Sequence, residues 1–270
     1  MGVVHVGEDW QVQLSFDLGQ DFQAFVHAET AKAFFAGPVG LVKTAFKNEE
    51  DAKDKLDKYK KQLRELQFHM YAENKQSLLV CLQGLDAAGK DGTVNHVFSS
   101  MNPQGTKVHG FKVPSHEEAA HDFLWRIHQQ TPATGNVAIF NRSQYEDVLV
   151  TRVHKLVPKS VWSERYELIN DFEKNLVARG TRILKFYLHI SQDEQLKRFA
   201  ERLDDPSKNW KISESDYSER KLWPDYVDAF EECLSKTSTK HAPWYVIPAN
   251  NKWFRDVAIA KIVKDRKSTR

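Results

Sequence analysis

The sequence predicts an α/β protein: one parallel five-stranded sheet with helices on both faces. Three observations carry this. Short apolar runs at 77–82, 106–114, 136–140, 183–190 and 244–247 alternate with longer amphipathic segments, a pattern of parallel strands joined by crossover helices. The first run leads straight into a glycine-rich stretch, Gly84-Leu85-Asp86-Ala87-Ala88-Gly89-Lys90-Asp91-Gly92-Thr93, and helical periodicity follows it. The chain has 270 residues, 41% of them hydrophobic, enough for one large core or two small ones.

The elements follow in order. Residues 1–48 carry Phe22, Phe25, Val26, Phe34 and Phe35, interrupted by Gly37-Pro38; they predict short helices forming an N-terminal extension. Residues 49–74 space Leu56, Tyr59, Leu63, Leu66, Phe68 and Met70 as one long amphipathic helix, with the charge run 53–61 as its solvated face. Ser77-Leu78-Leu79-Val80-Cys81-Leu82 is a buried strand, and after the glycine-rich loop Val94, Val97, Phe98 and Met101 share one helix face. A second strand is expected over 106–114 and a single helix over 116–130, carrying Phe123, Leu124, Trp125 and Ile127. The third strand ends at Phe140, and the helix over 160–179 stops near Gly180. The fourth strand precedes a helix over 192–203, which Asp204-Asp205-Pro206-Ser207-Lys208 breaks. Ser213-Glu214-Ser215-Asp216 caps one further helix over about 216–236, and the fifth strand precedes a final helix over 251–265. Residues 49–270 thus read as the main domain, with the irregular segment at about 198–215 set apart as a lid.

Composition narrows the class. A net charge of +2 gives no global affinity for polyanions, so no nucleic-acid partner is expected, and anion binding must come from local clusters. No apolar run approaches membrane-spanning length, and the N-terminus lacks a signal-peptide core. The two cysteines, Cys81 and Cys233, suggest no disulfide framework. Together these features predict a cytoplasmic protein without a membrane partner.

The loop after the first strand is a candidate phosphate cradle. Small residues at Gly84, Ala87, Ala88, Gly89 and Gly92 let backbone N–H groups turn toward an anion, and Lys90 reaches the outer phosphates. Asp91 stands where G-x-x-x-x-G-K-[ST] places a metal-binding hydroxyl, and Thr93 comes two residues late. Asp86 inside the loop would repel phosphate unless a divalent cation bridges them, which makes Asp86 the candidate metal ligand. The plainer alternative is a glycine turn capped by an aspartate.

Two further constellations accompany the loop. The third strand runs into Asn141-Arg142-Ser143-Gln144-Tyr145-Glu146-Asp147-Val148. Asn141 occupies a place where a metal-supporting acid is common, and Arg142 suits a transferring phosphoryl group; a polar strand end with a surface arginine is the alternative. Arg198 and Arg202 share a helix face, with Lys208 and Lys211 just beyond, as in a cationic lid over an anionic substrate. A solvated helix pairing with Glu194 and Glu201 would look similar. The pair His116 and His121 is not a zinc motif, because residues five apart diverge by roughly 140° around a helix.

With these stretches in view, about residues 50–262 resemble the family-2 polyphosphate kinases. Its carriers are the loop 84–93, the segment 140–148 and the segment from Arg198-Phe199 to Trp210-Lys211, joined by Met101-Asn102-Pro103-Gln104-Gly105 and His121-Asp122-Phe123-Leu124-Trp125-Arg126. The resemblance implies a P-loop kinase fold like that of thymidylate kinase, with a helical lid. It also implies homo-oligomers and reversible phosphoryl transfer between inorganic polyphosphate and nucleotides, with Mg²⁺ or Mn²⁺. Asn141 followed by Tyr145-Glu146-Asp147-Val148 looks like the third class, which phosphorylates both nucleoside mono- and diphosphates. Members of that class usually carry His where this chain has Gln144, a departure that bears on substrate preference. On this resemblance Asp86, Lys90 and Arg142 are catalytic and Asp86 holds the metal. Gly84, Ala87, Ala88, Gly89, Gly92, Thr93, Arg198, Arg202, Lys208 and Lys211 bind polyphosphate, and Asn141, Tyr145 and Glu146 line the nucleotide. An ATP-dependent nucleotide kinase on the same fold and a non-catalytic nucleotide-binding scaffold are the alternatives.

Overall fold

The computed structural model describes residues 49–268. The helices expected within 1–48 lie outside the described residues. The charged stretch after them is a single helix, α1 (Glu49–Glu73), which starts on Glu49, Glu50 and Asp51 and buries Ala52, Leu63, Gln67 and Met70. Acidic residues in a first turn complement the helix dipole. Five strands follow at intervals: β1 (Ser77–Gln83), β2 (Thr106–Gly110), β3 (Val137–Asn141), β4 (Thr181–His189) and β5 (Trp244–Pro248). They form one all-parallel sheet in the order β2-β3-β1-β4-β5.

Between them lie α2 (Lys90–Thr93), which runs on as a π-helical turn over Val94–Phe98, then α3 (His116–Ala119), α4 (Trp125–His128), α5 (Glu146–Val153) and α6 (Lys159–Ala178). The second half adds α7 (Gln192–Asp204), a 3₁₀ turn at Asn209–Lys211, α8 (Glu214–Arg220), α9 (Trp223–Thr237) and α10 (Lys252–Ser268). The sheet is the middle layer of three. Alternation along β1 sends Leu78, Val80 and Leu82 into a core shared with α1, the π turn and α10, while Leu79 and Cys81 face a core with Ile127, Phe172 and Ala242. A third cluster joins Tyr187 of β4 to α5, α6 and α9. Burial of β1 on both faces explains its unbroken apolar run, and each fully buried Leu or Phe contributes about 1.5–3 kcal/mol. Both cysteines are free and buried as core residues, and burial pushes the Cys233 thiol up to about 12.

Three boundaries differ from the sequence expectation. Strand β2 stops at Gly110 rather than running on to 114. The expected helix over 116–130 is two single turns. A capping box at Ser115 and Glu118 opens α3, and the chain then breaks where the Asp122 carboxylate accepts from Leu124 N–H at 2.9 Å, a local bond that competes with the helical one. The expected helix over 216–236 is likewise split into α8 and α9. Pro224 sits in the first turn of α9; it lacks an N–H and clashes with the carbonyl four residues earlier, that of Arg220, where α8 ends.

Candidate active site

The loop from Gly84 to Gly89 leaves the carboxyl end of β1, the end at which parallel sheets of this type bind ligands. Its backbone is held from behind. Lys90 Nζ donates to the carbonyls of Gly84 at 2.6 Å and Leu85 at 3.3 Å. Gln195 Nε2 donates to Asp86 O at 3.0 Å, and Arg198 Nη1 to Ala87 O at 2.8 Å and Ala88 O at 3.4 Å. Carbonyls of five consecutive residues are thereby engaged. Ala87 and Gly89 take left-handed φ values of +61° and +102°. At Gly89 the left-handed φ favours glycine, and a Cβ would lie 1.8 Å from Arg255 Nη1, forcing that side chain to shift.

The strand ends supply the charges. Asp86, with a side chain 35% exposed, pairs with Arg142 through Oδ1 and Nη2 at 2.9 Å. Arg142 follows β3 in a left-handed conformation, φ +65°, and its Nη1 lies 3.8 Å from Glu146 Oε2. Burial alone would pull the Arg142 guanidinium down, but Glu146 and Asp86 raise it above its ordinary value. The same burial lifts the Glu146 carboxyl, against the pull of Arg142 and Lys90, and lowers Lys90 despite the nearby Asp86. Asn141 Nδ2 donates to Asp91 Oδ1 at 2.6 Å, tying the end of β3 to the first turn of α2. Of these groups, Asp86, Arg142 and Glu146 line a cleft whose walls also include Gly84, Arg220 and Tyr226.

The cations expected to form a lid are disposed differently from one another. Arg202 Nη1 donates to Lys211 O at 3.0 Å, Lys208 pairs with Asp205 at 2.5 Å, and the Lys211 ammonium lies 4.9 Å from the centre of the exposed Trp210 ring. Arg198 departs from the expected lid role. It is 4% exposed, and beyond its loop contacts its Nε donates to Glu194 at 2.8 Å and its Nη2 to the carbonyls of Ala249 and Asn250 at 2.6 and 2.8 Å. With those acceptors in place its guanidinium is a buried strut beneath the loop.

Tyr145 also departs from its expected place beside the nucleotide. It is 0% exposed, donates to Glu173 Oε1 at 2.5 Å and accepts from Lys185 Nζ at 2.8 Å. Lys185 and Glu173 form an ion pair at 2.6 Å inside the core. A buried charge pair demands such hydrogen-bonding neighbours, which is why a tyrosine is drawn inward here. Gln144 belongs to the same network, 3.2 Å from Glu173 Oε1. Thr93 is fully buried, its hydroxyl without a hydrogen-bonding partner among the described residues, and Gly92 backs onto Arg255 Nη2.

Sequence reasoning passed over Gln195, Arg220 and Arg255. Gln195 is the uncharged polar member of the face that α7 buries, with Arg198 and Phe199 three and four residues on, a placement that marks a satisfied buried group. Arg255 and Asp256 interrupt the apolar run from Phe254 to Ala260, and they pair at 2.7 Å.

The family model for polyphosphate kinase 2 (PPK2) matches residues 46–269. The chain is 52% identical over 203 residues to an AMP/ADP-polyphosphate phosphotransferase of Meiothermus ruber, a match spanning 75% of this chain and 76% of the relative. It is 47% identical over 215 residues to an ADP-polyphosphate phosphotransferase of Rhodopseudomonas palustris, across 75% of this chain and 74% of that one. Among solved structures, polyphosphate kinase 2 from Arthrobacter aurescens TC1 superposes with a TM-score of 0.81 at 47% identity, covering 83% of this chain and 80% of that chain. By its loop, its strand ends and a match across most of its length, this chain belongs to the polyphosphate kinase 2 family.

Proposed function

We propose that this enzyme catalyses reversible phosphoryl transfer between inorganic polyphosphate and nucleoside mono- and diphosphates, converting AMP to ADP and ADP to ATP. The observation that carries the proposal is the pairing of Asp86 with Arg142 at the carboxyl ends of β1 and β3, both lining one cleft, with Lys90 buried against the carbonyls of the same loop. Relatives named for AMP/ADP- and ADP-polyphosphate transfer support the substrate class.

The acceptor is a phosphate oxygen, already ionised at neutral pH, so no strong general base is needed and catalysis rests on positioning and charge neutralisation. Arg142 and Lys90 stabilise charge on the transferring group. An incoming anion favours the charged form of Lys90, opposing the burial that lowers it. Glu146 and Asn141 line the acceptor side. Arg202, Lys208 and Lys211 follow the polyphosphate chain; their present partners are surface contacts of little strength, which a polyanion displaces.

The site also fits a hard divalent cation such as Mg²⁺ or Mn²⁺. Its anionic donors, Asp86 and Glu146, are oxygen ligands. Among the described residues no three His, Cys, Asp or Glu side chains converge to hold a metal alone, and Mg²⁺ is ordinarily held by one or two carboxylates together with substrate phosphates. Asp86 supplies such a carboxylate. When bound, the ion offsets negative charge on the transferring phosphates. Among the described residues no helix is long and apolar enough to cross a membrane, and the free cysteines suit a reducing cytoplasm.

A donor comparison tests the proposal: AMP is offered with polyphosphate alone or with ATP alone, and ADP formation is followed by chromatography. ADP formed from polyphosphate supports the reading; ADP formed only with ATP replaces it with an ordinary nucleotide kinase.

A further inference from the structure

The side-chain amide of Gln195 stands between the lid and the phosphate loop and uses both of its ends. Its Nε2 donates to the carbonyl of Asp86 at 3.0 Å, and its Oε1 accepts from Arg220 Nη1 at 3.2 Å. Gln195 is 3% exposed, so neither contact is readily replaced by water. Arg220 is the last residue of α8, the helix that closes the lid segment, and the same Nη1 donates to Gln192 O at 2.6 Å. Arg220 also borders the cleft that Asp86, Arg142 and Glu146 face.

Chemistry singles out an amide at this position. A carboxylate would still accept from Arg220 but would set negative charge against the Asp86 carbonyl and offer it no proton; an apolar side chain would do neither. The consequence for the loop is directional. In a planar trans peptide the N–H points opposite to the C=O, so holding Asp86 O toward α7 turns Ala87 N–H to the other side. Arg198, three residues along the same helix, holds Ala87 O and Ala88 O and fixes the next stretch of loop. The lid's terminal helix and the backbone of the residue that faces the donor thus share one buried side chain.

We propose that Gln195 is a positioning residue that couples the seating of Arg220 to the orientation of the Asp86 peptide, so that the loop is set for transfer when the lid helix is docked. The inference rests on the polyphosphate-transfer reading and deepens it: Gln195 borders the same cleft, and its effect on transfer is assigned to its hold on the Asp86 carbonyl.

The test is steady-state kinetics of the full chain with Mg²⁺, polyphosphate as donor and ADP as acceptor, for wild type, Gln195→Met, Gln195→Glu, Arg220→Met and the double variant Gln195→Met/Arg220→Met, each with a thermal melt. Misplacement of a catalytic group costs rate rather than affinity. Gln195→Met and Gln195→Glu therefore each lower kcat by about tenfold or more while KM for ADP stays within about twofold. The double variant loses no more than the worse single variant, because the two residues act through one link. Should Gln195→Met fail to fold, the near-isosteric Gln195→Glu carries the same test. Unchanged kcat in both Gln195 variants, losses that multiply in the double variant, or kcat falling only in step with the melting temperature would each overturn the inference. Wild-type transfer with unaffected variants removes this inference alone; no transfer by wild type removes the polyphosphate reading as well.

Discussion

Arg142 Nη2 lies 2.9 Å from Asp86 Oδ1, a bridge between the ends of adjacent strands β3 and β1. Each residue is held in place by unusual backbone. Arg142 itself has φ +65°, and Ala87, next to Asp86, has φ +61°. Left-handed geometry at non-glycine residues costs energy and is retained where the surrounding structure enforces it, often at functional sites. The two charges neutralise each other across the strand ends.

Asp86→Asn tests the anionic half of that pair. Transfer from polyphosphate is expected to fall by about 10²–10³-fold or more, as when one oriented electrostatic contact to the reacting group is lost. Stability is expected to stay within about 1 kcal/mol, because the side chain is partly solvated and its ion pair is of the weak, surface kind. Urea unfolding beside the activity assay checks both.

Tyr145→Phe separates core from site. The hydroxyl serves both Glu173 and Lys185, and loss of a buried hydrogen bond to a charged group costs about 1.5–3 kcal/mol. The melting midpoint should fall accordingly while KM for the nucleotide stays at the wild-type value. A raised KM without loss of stability would return Tyr145 to the acceptor site.

Gly89→Ala is expected to destabilise by about 2–5 kcal/mol, from a left-handed alanine together with the collision of its Cβ with Arg255 Nη1. Thermal or urea unfolding measures the loss.

Lys90 gives a pH signature. Burial lowers its pKa from 10.5, so in the window between the native value and 10.5 the unfolded chain binds more protons, and folding gains stability as pH rises. Compared with Lys90→Met, the wild type should therefore become relatively more stable as pH rises toward 10.5 in urea titrations. A difference that stays flat, or that moves the other way, contradicts the buried state of the ammonium.

The strand pattern and the loop were legible because they depend on local signals: apolar runs, glycines at fixed spacing, a helix immediately after. Asp86, Lys90, Arg142 and Glu146 come together because the sheet places the ends of β1 and β3 side by side, an adjacency that parallel crossover topology makes predictable. Arg198 is placed differently from the expectation for a physical reason. An arginine spaced like a lid cation is indistinguishable in sequence from one buried against backbone carbonyls, and its acceptors at Ala87 and Ala249 are remote in the chain. The burial of Tyr145 was equally illegible, since its partners Glu173 and Lys185 lie on α6 and β4. The breaks at Asp122 and Pro224 were present as local signals, and in both places the amphipathic pattern outweighed them.

The central claim is tested most directly by supplying Mg²⁺ and polyphosphate as the sole phosphoryl donor, offering ADP and AMP in separate reactions, and reading ATP by luminescence. The geometry predicts ATP from ADP at once and from AMP after a lag, as ADP accumulates. ATP from ADP alone would confine the enzyme to diphosphate acceptors, and no ATP from either acceptor would contradict polyphosphate as the donor.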